Sequence, residues 1–138
     1  MTADKNNNRG LHGDTREVMR EITQQTRANL IQDLLGHPHS SPSKKELEYM
    51  NPSKTSTTIS EHLNRLIELG FVEKVKLPED ERKRDLPHTF YRLTDPGREF
   101  LEEHNILVDK EEQIEQEYEN VDKEPDIKAA EEAPRPIR

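Results

Sequence analysis

Cysteine and tryptophan are both absent from the 138 residues, and aromatic side chains make up only 4% of them. Without cysteine there is no disulfide, no thiol nucleophile and no zinc site built on thiolates. So few aromatics exclude a large stacking platform. Glycine occurs five times, too seldom for a glycine-rich loop that cradles phosphate, and the G-x-S-x-G, H-E-x-x-H and Walker patterns are missing. The expectation is that the chain is not an enzyme and needs no cofactor. No apolar run reaches the roughly 18 residues of a membrane span. Residues 1–13 are polar and lack the apolar stretch of a secretory signal, so a cytoplasmic location is expected. Hydrophobic residues account for 29%, charged residues for 36%, and mean hydropathy is -1.13. Such a chain is expected to combine a small packed domain with solvated helix or disorder.

Charge is divided unevenly. Net charge is -8. Residues 1–94 carry 15 cations against 14 carboxylates, whereas residues 95–138 carry 6 against 15. The front part is close to neutral and can concentrate cations locally. The back part would repel a polyanion, an arrangement that accompanies nucleic-acid binding with an acidic tail.

The pattern along the chain predicts mainly helix with one β-hairpin. Residues 1–13, rich in asparagine and aperiodic, read as a disordered arm. From Thr15 onward Val18, Met19 and Ile22, then Leu30, Ile31, Leu34 and Leu35, recur at helical spacing. Asp14 and Glu17 form a capping box at its start. Gly36 and Pro38 stop the helix, and the polar residues 23–27 can divide it in two. Ser43 followed by Glu46 caps a short helix that ends at Asn51-Pro52. A third helix, residues 55–69, carries Ile59, Leu63, Leu66 and Ile67 on one face and stops at Gly70. Residues 71–77 and 88–93 read as strands around a charged tip, residues 78–87, bounded by Pro78 and Pro87. Thr94 caps a further helix with Pro96 in its first turn. Phe100, Leu107, Ile114 and Val121 then recur every seventh residue, with a break expected near Asn105 and a second capping box at Asp109 and Glu112. Residues 122–138, with Pro125, Pro134 and Pro136 among charges, read as an extended acidic tail.

Helix, short helix, turn, helix, hairpin, helix is the order of a winged helix-turn-helix. Residues 14–94 are the expected DNA-binding domain, and residues 95–121 a dimerisation helix or helix pair. On the third helix Thr57, Glu61, Asn64, Arg65 and Glu68 point outward. Its start, Thr55-Ser56-Thr57-Thr58 with Ser60, bears small hydroxyl side chains that allow deep entry into a major groove. Free amides there suit a phosphate. Asn64 can read adenine, and Arg65 guanine or a phosphate. Arg82-Lys83-Arg84 at the hairpin tip suit a backbone or minor groove, and Lys44, Lys45 and Lys54 flank the turn. Val18, Ile22, Phe100, Leu101, Leu107, Ile114 and Tyr118 are the expected dimerisation residues. His37 and His39, in a proline-bounded loop, are a weak metal pair, and no metal site or small-molecule effector is expected.

The run from Lys54 through Thr57-Thr58-Ile59-Ser60-Glu61-His62-Leu63 to Leu66, followed by Gly70-Phe71-Val72, resembles the core of ArsR- and MarR-like winged-helix transcription regulators. Tyr91-Arg92-Leu93-Thr94-Asp95-Pro96-Gly97-Arg98 resembles their second wing strand and entry to the dimerisation helix. The acidic tail and Ala133-Pro134-Arg135-Pro136 are similar to those of haloarchaeal members. The resemblance extends over about residues 15–136 and is strongest over 43–101. It implies a homodimer that binds a two-fold operator in double-stranded DNA. Glu61 departs from it, standing where many relatives carry a basic or neutral residue, and the missing cysteines remove the thiolate metal-sensing site of some ArsR members. Excess carboxylate also suits a halophile. Because salt weakens phosphate contacts steeply, a high-salt binder leans on base contacts and shape. The alternative is a winged helix that binds protein and has no DNA site, with Glu61, Glu68 and the acidic helix as its contact surface.

Overall fold

The computed structural model describes residues 10–136. Helices α1 (Thr15–Ile22), α2 (Gln25–Gly36), α3 (Lys44–Met50) and α4 (Ser56–Glu68) precede an antiparallel hairpin of β1 (Val72–Lys76) and β2 (Thr89–Leu93). Helices α5 (Asp95–Glu103), α6 (Glu111–Asn120) and α7 (Pro125–Glu131) follow. Register pairs Val72 with Leu93 and Lys76 with Thr89.

Local chemistry accounts for the element boundaries. The expected capping boxes at Asp14/Glu17 and Ser43/Glu46 are both formed, each side chain accepting from the other residue's amide. The split of the first helical stretch falls after Ile22, where the Gln24 side chain accepts from the Arg27 amide at 2.9 Å and opens α2. Gly70, at φ +84, lets the chain leave α4 in the left-handed region, and the Phe71 amide returns to the Leu66 carbonyl at 3.0 Å.

The core is built around α2. Leu30, Ile31 and Leu34 are buried in one cluster with Val18 and Ile22 of α1, Ile59, Leu63 and Leu66 of α4, Tyr91 and Leu93 of β2 and Ile114 of α6. Gly36 permits the crossing of α2 and α6. A Cβ there would lie 3.0 Å from Tyr118 Cβ and 3.1 Å from the Ile114 carbonyl.

Three expectations are corrected. Residues 10–13 belong to the domain rather than to a disordered arm. Leu11 is buried, and His12 donates from its amide to the Leu69 carbonyl at 2.9 Å. The remainder of that arm, residues 1–9, lies outside the described residues. The break expected near Asn105 is present: Asn105 (φ 51) and Leu107 (φ 66) turn the chain, so Phe100, Leu107, Ile114 and Val121 spread over two helices. The capping box at Asp109 and Glu112 does not form, since α6 starts behind Lys110 without a side-chain cap. The tail contains α7, whose Ile127 and Ala130 are buried together with Ala133 beyond its end. Proline stands at the N-terminal end of α7, where its missing N–H costs nothing.

Asp33 on α2 accepts from Asn51 Nδ2 at 2.8 Å, which links α2 to the turn after α3. Burial pushes its carboxyl up to about 7 from an ordinary 3.8. A group whose pKa rises on folding contributes stability that is complete below its unfolded value and is lost as pH rises through the folded one. Asp33→Asn is therefore expected to stabilise the chain by roughly 1–3 kcal/mol at pH 8 and to change little at pH 4. Urea unfolding at both pH values reads this, and an equal effect at both would contradict it.

Candidate nucleic-acid interface

Helix α4 offers one face to the core and one to solvent. Ile59, Leu63 and Leu66 are buried, while Thr57, Glu61, Asn64, Arg65 and Glu68 are exposed. Thr58 and Ser60 flank the buried stripe and are half-exposed. The hydroxyl groups at the start divide between two roles. Thr55 is the N-cap, its oxygen accepting from the Thr58 amide at 3.1 Å. Ser56 accepts from Lys44 Nζ at 2.9 Å and donates to Glu48 at 2.8 Å, which ties the head of α4 to α3. Thr57 faces outward, the side from which a groove would be entered.

Charge on this surface is more balanced than the row of cations implies. Lys44 pairs with Glu48 at 3.5 Å and Lys45 with Asp126 of α7 at 3.2 Å. Arg65 is held by Glu21 of α1 at 2.9 Å and by Glu68 at 3.4 Å, and Glu21 also meets Arg27 at 3.3 Å. The hydrogen bond from Arg65 holds the Glu21 carboxyl below the usual carboxylate range. Arg65 thus stands in an ion-pair network rather than free at the helix surface. His62 Nδ1 lies 3.0 Å from Arg27 Nη1, and burial, aided by that guanidinium, lowers the imidazole.

At the wing, Arg82 folds back and donates from Nε to the Leu77 carbonyl at 2.9 Å, sealing the end of the hairpin. Lys83 and Arg84 are exposed at the tip, as is Lys54 beside the turn. Among the described residues these three carry no carboxylate ion pair. Arg92 on β2 bonds Glu73 directly across the hairpin at 2.8 Å.

The expected dimerisation residues lie elsewhere than on the surface. Val18, Ile22, Phe100, Leu101, Ile114 and Tyr118 are buried within the chain's own core, and Leu107 is half-buried against it. The reason is that α6 folds back onto α2, so the apolar positions of α5 and α6 meet the same chain.

A second polar cluster, of which the sequence showed only the Ser43/Glu46 cap and His37 as half of a weak metal pair, lies beneath α3. His37 turns inward, and its Nε2 is 2.6 Å from Glu46 Oε1. Arg135 donates from Nη2 to Glu46 Oε2 at 2.8 Å. Donor atoms of His37, Glu46 and Glu131 lie within 4.8 Å of one another, but the Arg135 guanidinium already serves as the cation there. His39 is exposed, so His37 and His39 do not face a common ion.

No family model matches the chain, and no curated protein matches it. A solved structure does, described as a protein with a GntR superfamily winged-helix-turn-helix domain from Halomicrobium mukohataei. It is 28% identical, with 86% of this chain and 82% of that one covered at a TM-score of 0.78. The chain has the winged helix-turn-helix fold. The neighbour does not support the ArsR- or MarR-like subtype that the core motif implied. Among the described residues no helix is long and apolar enough to cross a membrane.

Proposed function

We propose that this chain is a sequence-reading, DNA-binding transcription regulator that acts as a homodimer. The observation that carries the reading is the free outer face of α4, with Thr57, Glu61 and Asn64 exposed on a helix whose head is pinned to α3. Small side chains at the start admit the helix to the major groove, Asn64 matches the N6/N7 edge of adenine, and Glu61 can accept from a cytosine amine. Lys83 and Arg84 at the wing tip meet the adjacent backbone or minor groove, and Lys54 holds a phosphate near the turn. Lys44, Lys45 and Arg65 reach phosphate or base only by giving up their carboxylate partners. A dimer interface would have to use the outward faces of the 95–121 segment, since its buried side chains serve the monomer.

The pairing of those cations also favours a second reading, a winged helix that docks protein. Salt separates the two, because counterion release makes DNA binding fall steeply with salt.

Selection from a genomic fragment pool, at low and at molar salt, tests the proposal. It should return a short inverted repeat. No enrichment by folded protein would move the assignment to the protein-docking reading. On the recovered site, Asn64→Ala should cost about 1–3 kcal/mol and relax one base position, with random DNA unaffected. An equal loss on operator and random DNA would remove Asn64 as a reader. Neutralising Lys83 and Arg84 together should weaken all sequences alike and flatten the log–log salt slope by about 2. Glu21→Gln, which removes the nearer of the two carboxylates that hold Arg65, should tighten binding to every sequence in electrophoretic titrations. Unchanged affinity would leave Arg65 a structural residue.

A further inference from the structure

The cluster beneath α3 joins segments far apart in the chain. Arg135 Nε donates to the Ser41 carbonyl at 2.9 Å, and its Nη1 to the carbonyls of Glu131 and Ala133 at 2.7 and 2.8 Å. Its Nη2 serves Ala130 at 3.0 Å as well as Glu46, and the guanidinium lies 4.6 Å over the Phe90 ring. Along the outside of α3, Tyr49 donates to the Asp122 carbonyl at 2.7 Å and Lys45 pairs with Asp126. We infer that residues 122–136 form a strap that Arg135 locks onto the head of α3 and that a proton on His37 unlocks, because it sets an imidazolium against the guanidinium and breaks the bond that His37 accepts from the His39 amide.

The geometry fixes His37 as neutral. Nε2 donates to Glu46 while Nδ1 accepts from the His39 amide at 3.0 Å, and only the neutral Nε2–H tautomer does both. A proton on Nδ1 breaks the His39 bond. It also sets a second cation beside Arg135, whose Nη2 is 3.4 Å from Nε2. Burial, opposed by Glu46 and aided by Arg135, lowers the imidazole from its ordinary 6.5.

The nearest other carboxylate is Glu131 on α7, within 4.8 Å of this pair, whose Oε1 has no hydrogen-bond partner and faces Lys123 at 3.3 Å, so its charge is shared with that ammonium. Tyr118 on α6 meets the imidazole edge-on at 5.6 Å, and burial keeps its hydroxyl protonated. On α2, Asp33 is half neutral near pH 7. Glu112, Glu115 and Glu119 of α6 line an open groove of about 380 Å³ beside His37, where water screens them. A depressed histidine contributes stability that is complete above 6.5 and is lost as pH falls through the folded value. The strap therefore loosens on acidification.

Hydrogen exchange of the α7 amides in the full chain, corrected for intrinsic rate and followed from pH 8 to pH 5, reads the lock. The opening constant should rise by up to about tenfold per pH unit once His37 begins to titrate. His37→Gln keeps a donor to Glu46 but takes no proton, so its opening should be flat over the same range. Identical pH dependence in wild type and H37Q would overturn the inference. A second measurement does not depend on that variant folding. The His37 ring titration, followed by NMR, should move to higher pH in Arg135→Met, with proton binding tighter by about threefold or more. An unmoved midpoint would likewise overturn it.

Discussion

The first helix of the reading pair is held in place through one buried carboxylate. Moving an ionised carboxylate out of water costs several kcal/mol unless its lone pairs are filled. Glu46 fills them with the Ser43 amide at 2.8 Å, the Ser43 hydroxyl at 2.9 Å, His37 and Arg135. Each partner comes from a different place: the cap of α3, the end of α2 and the segment after α7. Arg135 in turn lies over Phe90 of the wing strand. One side chain thereby ties the core helix, the helix-turn-helix, the hairpin and the C-terminal segment to one another.

That tie settles the pose of α3, and the Lys44–Ser56–Glu48 contacts carry the pose to the head of α4. What α4 then offers is chemistry of shape and hydrogen bonding more than charge. Three of the cations nearest the reading face are matched by carboxylates, so a large non-specific attraction to phosphate is not what this surface supplies. Contacts to base edges, which do not release counterions, survive salt better than phosphate contacts do. On the proposed reading such a surface trades affinity for discrimination, which suits a chain of net charge -8.

The parts of the fold written in short-range chemistry were legible. The Asp14 and Ser43 capping boxes, Gly70 and Thr94 mark helix ends through contacts spanning a few residues, and the buried stripe of α4 follows from its 3.6-residue period. The parts written in long-range pairing were not. Nothing local to Arg65 indicates Glu21, 44 residues earlier, and nothing near Arg135 indicates Glu46, 89 residues earlier. Helix α7 was hidden by composition. Three prolines and many charges obscured Ile127, Ala130 and Ala133, which recur every third residue. The break behind Phe100 was legible near Asn105, and the left-handed residues Asn105 and Leu107 account for it. The outward residues of α4 were placed correctly, but Arg65 and the two α3 lysines proved to have partners the sequence does not show.

The central claim is that α4 and the wing tip form the surface that meets DNA. Amide chemical-shift mapping of the full chain, titrated with a duplex carrying the selected repeat, tests it most directly. The account predicts the largest changes at residues 54–64 and 82–84, with α5 and the outer face of α6 little affected. Changes concentrated on the acidic helices, with the α4 face unmoved, would contradict it.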